Sequence, residues 1–324
     1  MQDKVTGFAE LYYKLNDGLK WKVSDKRILM TIASMYAMNH KTLDLDNLLR
    51  IADRIKDKAG LFSAMKSYSR FTAAAALDVK FEQPDAQINQ LFQLYDLFRK
   101  AKFSSGVYTY LAASTVLTNP DSSFTYDQII RRTKELHDGM KKEHVFLTGA
   151  SDYPLAVLLA YEHQTDIIQQ MEMYYDELSK YGFWKGNDLQ FLSHILTLDR
   201  EAQTDDLVGR TVAVMDAFRA SGIRPKQLYY PVIGMLALLD MQTFDMSEVT
   251  SMYHALNEKK GLKWYKDMNV IMAATLYING KQENNSLAEA SIHTTLETIL
   301  QAQQAVMIAT ITAATTAANS SNNS

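Results

Sequence analysis

Cysteine is absent from all 324 residues. Disulfides, thiolate metal sites and cysteine nucleophiles are thereby excluded. The chain also lacks an excess of positive charge. Its 34 lysines and arginines stand against 37 aspartates and glutamates, for a net charge of -3 and a pI near 6.2. A nucleic-acid binder needs a strongly basic face to displace counterions, so no nucleic-acid partner is expected. No stretch approaches the roughly 18 apolar residues of a membrane span. The opening MQDKVTGFAELYYKL carries acids and tyrosines where a signal peptide needs an apolar run. The expectation is a cytoplasmic protein with no membrane partner. Phosphate-binding glycine loops are missing. The seven histidines form no His-x-x-x-His pair, and Glu162-His163 stands alone, so neither a metal nor a cofactor is expected.

What is present is apolar matter and a period. Apolar residues make up 47 % of the chain, ample for a core and too many for disorder over most of its length. A short joint recurs about seven times: a glycine, a large apolar residue, then an aromatic or basic pair. The clearest copies begin at Gly18, Gly60, Gly182, Gly222 and Gly261, and weaker ones without the glycine sit at Ala101-Lys102-Phe103 and His144-Val145-Phe146. A spacing of roughly 40 residues signals stacked helical hairpins. The fold class is therefore all-α: about seven antiparallel hairpins, forming either an open α/α superhelix (solenoid) or a closed α/α toroid.

Each unit reads as two helices of different character. The helix after the joint is apolar almost all round, as in Tyr153-Pro154-Leu155-Ala156-Val157-Leu158-Leu159, and must be covered on every side. The next is amphipathic, with Leu45, Leu48, Leu49, Ala52 and Ile55 at helical spacing, and forms an outer layer. A glycine closing the outer helix fits a left-handed C-terminal turn, and basic residues such as Lys56, Lys58, Lys141 and Lys142 complement the helix dipole there. Ser24, Ser104, Ser151 and Asn187 offer N-caps to the inner helices. Seven hairpins are expected after a leading helix at about residues 3 to 17, giving one repeat domain over 1–300. An Ala/Thr-rich capping helix at 301–318 and a disordered Asn/Ser tail at 319–324 follow.

Two constellations invite a functional reading. All three tryptophans, Trp21, Trp184 and Trp264, sit in joints beside Lys22, Lys185, Lys263 and Lys266; the joint at Arg224 carries Arg224 and Lys226 instead. Repeats align equivalent positions, so these residues would form a rim of aromatics and cations suited to a sugar, an anionic polymer or a peptide. The competing reading makes the tryptophans seals on the hydrophobic layer and the lysines partners of helix C-termini. The second constellation is acidic: Asp25, Asp152, Asp188 and Asp267 lie just inside the inner helices. In a closed ring Asp152 and Asp188 could approach the separation of an inverting glycosidase pair, though acids at helix N-termini also serve as caps. His137 and His144 lie two turns apart at a helix end, and His194 reads as a core residue on LQFLSHILTL.

The inner-helix pattern, the Gly-[Leu/Phe/Ile]-x-aromatic joints and the stretch Gln303-Gln304-Ala305-Val306-Met307-Ile308-Ala309 resemble a family of Gram-positive bacteria, domain-of-unknown-function family 4003. The resemblance spans nearly the whole chain and implies a helical bacterial protein, with no catalytic or binding residue to carry over. Two functions stay open: a scaffold binding a protein or peptide through its concave surface or rim, or a toroid enzyme acting on a carbohydrate with Asp152 and Asp188 as acid and base.

Overall fold

A computed structural model describes residues 2–162, 166–199, 202–282 and 299. Fourteen α-helices and no strand occur among them. Seven are outer helices: α1 (Gln2–Leu19), α3 (Leu45–Lys58), α5 (Pro84–Lys100), α7 (Tyr126–Glu143), α9 (Ile167–Lys180), α11 (Thr204–Ala220) and α13 (Met246–Glu258). Seven are inner: α2 (Lys26–Met38), α4 (Ser69–Lys80), α6 (Val107–Thr118), α8 (Tyr153–Ala160), α10 (Asn187–Leu196), α12 (Tyr230–Ala237) and α14 (Lys266–Gln282). The expected capping helix at 301–318 and tail at 319–324 lie outside the described residues.

Burial separates the two sets as their composition demands. Every residue of α8 and α12 is buried. Pro154 and Pro231 sit in the first turns of those helices, where a missing N–H costs no intrahelical bond. In α4 the run Ala73–Ala76 is buried, its small side chains letting neighbouring backbones close in. Outer helices bury only a stripe: Leu48, Ile51, Ala52 and Ile55 in α3, and Ile88, Leu91, Leu94 and Phe98 in α5.

The main pairing runs across the joints. Each outer helix packs on the inner helix that follows it, α1 on α2 through α13 on α14. The helix expected to lead the array is thus the outer member of its first pair. A repeat period is the same in either phase, so the pattern could not say which neighbour each helix pairs with. Successive inner helices touch from α2 to α14, and α14 packs on α2; likewise α1 packs on α13. First and last pairs therefore meet. A cleft of about 410 Å³ lies at this seam, between Asp3, Lys4, Tyr36, His40 and Asn279.

Helix ends show where the expected punctuation held. At Gly182 and Gly222 φ is +84° and +79°. The N–H groups of Phe183 and Ile223 reach back to the carbonyls of Leu178 and Phe218, closing Schellman turns with the following apolar side chain buried. Lys102 does the same without a glycine, at φ +67°. Gly18 and Gly60 are not left-handed: Gly18 lies within α1, and Gly60 opens a turn to Ser63 without positive φ. The expected serine and asparagine N-caps also give way. Asp25 caps α2, Gly106 and Gly186 precede α6 and α10, and α8 follows a 3-10 turn at Ala150–Asp152. At Asp25 a carboxylate takes both the Arg27 N–H and the Arg27 guanidinium, which a serine hydroxyl could not.

Candidate functional site

The seven joints, at 20–25, 59–68, 101–106, 144–152, 181–186, 221–229 and 259–265, share one end of the array. Each links an outer C-terminus to an inner N-terminus, and neighbours touch there. Ser63 Oγ lies 3.0 Å from Tyr110 Oη, the Ser104 N–H donates to Tyr153 Oη at 3.3 Å, and the Trp184 N–H donates to Tyr230 Oη at 3.0 Å. Gln190 donates to Thr148 at 2.8 Å, and Lys226 reaches Asp267 at 2.7 Å. The tyrosine clamp, repeated at the heads of α6, α8 and α12, was not foreseen. Its only signal was an aromatic at the start of several inner helices.

The outward side chains of this end are large and apolar. Phe146 is 99 % exposed, Phe62 97 %, Trp21 91 %, Trp264 78 % and Trp184 75 %. None of the three tryptophans seals the core; buried residues next to them do so instead, Val23, Phe183 and Leu262. Phe62 and Phe146 protrude from their joints as well; the sequence places them in joints but the expected rim counted only tryptophans and cations. The third and sixth joints present exposed cations there, Lys102 and Arg224.

The expected cations divide. Lys226 pairs with Asp267, whose carboxyl also accepts from Tyr229 Oη at 2.7 Å. Burial alone would raise the Asp267 pKa, but these bonds outweigh it and hold it low. Lys185 lies 3.4 Å from Asp176 and over the Tyr175 ring. Lys263 sits 4.9 Å from the centre of the Trp264 ring. Lys22, Arg224 and Lys266 are exposed and make no ion pair with a described residue. Trp184, Arg224, Arg219 and Tyr230 line a cleft of about 410 Å³ between the fifth and sixth joints.

Charge is sorted between the two ends. The joints hold ten lysines or arginines and two aspartates. The six loops from inner to outer helices hold, among described residues, eight carboxylates and a single lysine. Acids also open the outer helices, at Asp46, Asp85, Asp127, Asp205 and Asp206, as the dipole favours. A chain of near-neutral total charge thus carries a basic end and an acidic one.

The acidic candidates differ in burial and partners. Asp25 caps α2. Asp152 is buried, accepts the Gly149 N–H at 2.8 Å, and is pushed up to about 6 by burial. Asp188 is half-buried and also raised by burial. Neither Asp152 nor Asp188 lines the cleft beside Trp184. His137 Nε2–H donates to the Gly149 carbonyl, 3.0 Å away. His144 Nε2 stands 2.9 Å from Glu172 Oε2, at ion-pair distance but off the line of a hydrogen bond. His194 is fully buried with Nδ1 unpartnered. No group of three metal-ligating side chains occurs among the described residues, and no helix there is long and apolar enough to cross a membrane.

Residues 11–305 match the family profile described as "Protein of unknown function (DUF4003)". The chain belongs to this family. Among its relatives is a Bacillus subtilis (strain 168) protein named "Uncharacterized protein YeaA". It is 33 % identical over 321 residues, covering 98 % of this chain and 97 % of the relative. No solved structure matches. For this DUF4003 member the joint end is the most distinctive surface among the described residues.

Proposed function

We propose that this chain is a closed α/α ring of seven outer–inner pairs, working in the cytoplasm as a binding module whose joint end is the binding surface. Closure is supported by the packing of α14 on α2 and of α1 on α13. The observation that carries the binding role is the set of five aromatics, 75–99 % exposed, in five of the seven joints. Scattered exposed apolar residues need no explanation, but a regular set of large ones marks an interaction surface. The free cations between them ask for a partner with negative charge. Of the two acids that the enzyme reading needs, Asp152 is buried and turned to the Gly149 N–H rather than to an open cleft.

The test uses Trp184→Ala with Trp264→Ala, beside Asp152→Ala with Asp188→Ala, on an array of random peptides. The wild type is expected to retain acidic, apolar peptides. The tryptophan pair should lose them while melting within about 2 °C of wild type, since exposed side chains contribute little to stability. The aspartate pair should retain them. A tryptophan pair that unfolds, or that still retains the same peptides, overturns the reading.

A further inference from the structure

We propose that the joint end docks on the surface of an anionic lipid bilayer; this rests on the joint end being the binding surface. Two observations select a bilayer over an acidic peptide. The aromatics belong to the first, second, fourth, fifth and seventh joints, so they are spread around the array rather than gathered in one groove. A peptide in the cleft between the fifth and sixth joints would reach only Trp184 among them. A broad partner spans several joints at once. Three of the tips are also nearly bare, Phe146 at 99 %, Phe62 at 97 % and Trp21 at 91 %. Such a side chain needs no matching pocket if it enters the boundary between headgroups and acyl chains, where indole and phenyl rings are at home.

The charge is complementary. Lys22, Lys102, Lys142, Arg224, Lys260 and Lys266 are exposed at or beside the joints and make no ion pair with a described residue. Anionic headgroups attract such cations over about a Debye length. The carboxylates gathered in the opposite loops would turn that end away from the membrane, so the sorting of charge orients the molecule. The lack of a spanning helix is compatible with this, since a chain that lies on a bilayer needs none. The sequence expectation of no membrane partner rested on the missing span and the missing signal-peptide run, neither of which a chain lying on a bilayer needs.

The experiment is flotation of the full chain with vesicles of phosphatidylcholine and phosphatidylglycerol in equal parts, against vesicles of phosphatidylcholine alone. Tryptophan emission is recorded in parallel, all three tryptophans being in joints. Binding is expected only to the anionic vesicles, with a blue shift of emission and release by high salt. Lys22→Ser, Arg224→Ser and Lys266→Ser should each weaken partition about five-fold. Trp184→Ala with Trp264→Ala should lose most of the bound fraction at an unchanged melting temperature. Absence of binding to anionic vesicles at low salt overturns the proposal, as does equal binding to both vesicles or indifference to these substitutions. If vesicles fail while tryptophan-dependent peptide retention persists, the bilayer is the wrong partner and the binding surface stands. If both fail, both readings fall. Self-association that the tryptophan pair abolishes, without vesicle binding, would assign the surface to a second copy and overturn the bilayer.

Discussion

Asp152→Asn should stabilise the protein at neutral pH and leave it unchanged in acid. Asp152 is 5 % exposed and its carboxyl is pushed up by burial from the ordinary 3.8 to about 6. Well below pH 3.8 the group is neutral in both the folded and unfolded chain and burial exacts nothing. Above about pH 6 it is charged in both, and the fold bears the whole desolvation cost. The loss therefore grows as pH rises from about 4 to about 6 and is constant beyond. At about 1.36 kcal/mol per pKa unit it amounts to roughly 3 kcal/mol. Asparagine removes the charge, and its Oδ1 can still accept the Gly149 N–H that now reaches Asp152 at 2.8 Å. Urea denaturation of both proteins from pH 4 to pH 8 is the assay, each compared at the same pH so that other titrating groups cancel. The variant should match wild type near pH 4 and exceed it by about 3 kcal/mol at pH 7.5, or by roughly 4–5 °C in Tm for a chain of this length. A gain that is equal at both pH values, or a loss at pH 7.5, would refute the assignment of a buried, poorly compensated carboxylate.

His194 titrates in the opposite sense. Burial, with His144 and His137 adding repulsion, lowers its pKa to about 3, so its contribution is lost as pH falls below the ordinary 6.5. His194→Leu should spare the protein about 3 kcal/mol of destabilisation at pH 4.5, judged by urea curves at pH 7 and 4.5; equal acid sensitivity in both proteins would refute this. Asp78 is buried and accepts Tyr36 Oη at 2.5 Å, Asn47 Nδ2 at 2.9 Å and Lys41 Nζ at 3.2 Å, tying α2, α3 and α4 together. Asp78→Ala leaves all three donors without this acceptor and should cost about 3 kcal/mol in the same assay, of which adding Tyr36→Phe should restore a part; a loss under about 1 kcal/mol would show the cluster to be incidental.

Helix type was legible because burial imposes it residue by residue. Tyr153–Ala160 is apolar on all sides and lies in the inner layer; Leu48, Ile51, Ala52 and Ile55 form a stripe and lie in the outer one. The left-handed turns at Gly182 and Gly222 were legible for the same local reason, whereas the turn at Lys102 was not, since nothing in a lysine announces positive φ. Of the candidate site, the tryptophans and their neighbouring cations could be found from spacing. Which cations are free could not: Lys226 finds Asp267, 41 residues away, and Arg224 finds no ion-pair partner among the described residues.

The family of this chain, its helical content and the alternation of inner and outer helices were determined by the sequence, because period and amphipathicity are local quantities that repeat. Three things were decided by the tertiary structure alone: the pairing of each outer helix with the inner one after it, the meeting of α14 with α2, and the outward direction of Trp21, Phe62, Phe146, Trp184 and Trp264. Each depends on contacts between residues tens or hundreds of positions apart. A hydrophobic side chain at a helix end has the same residue name whether it faces the core or the solvent, and only the packing of its neighbours settles which.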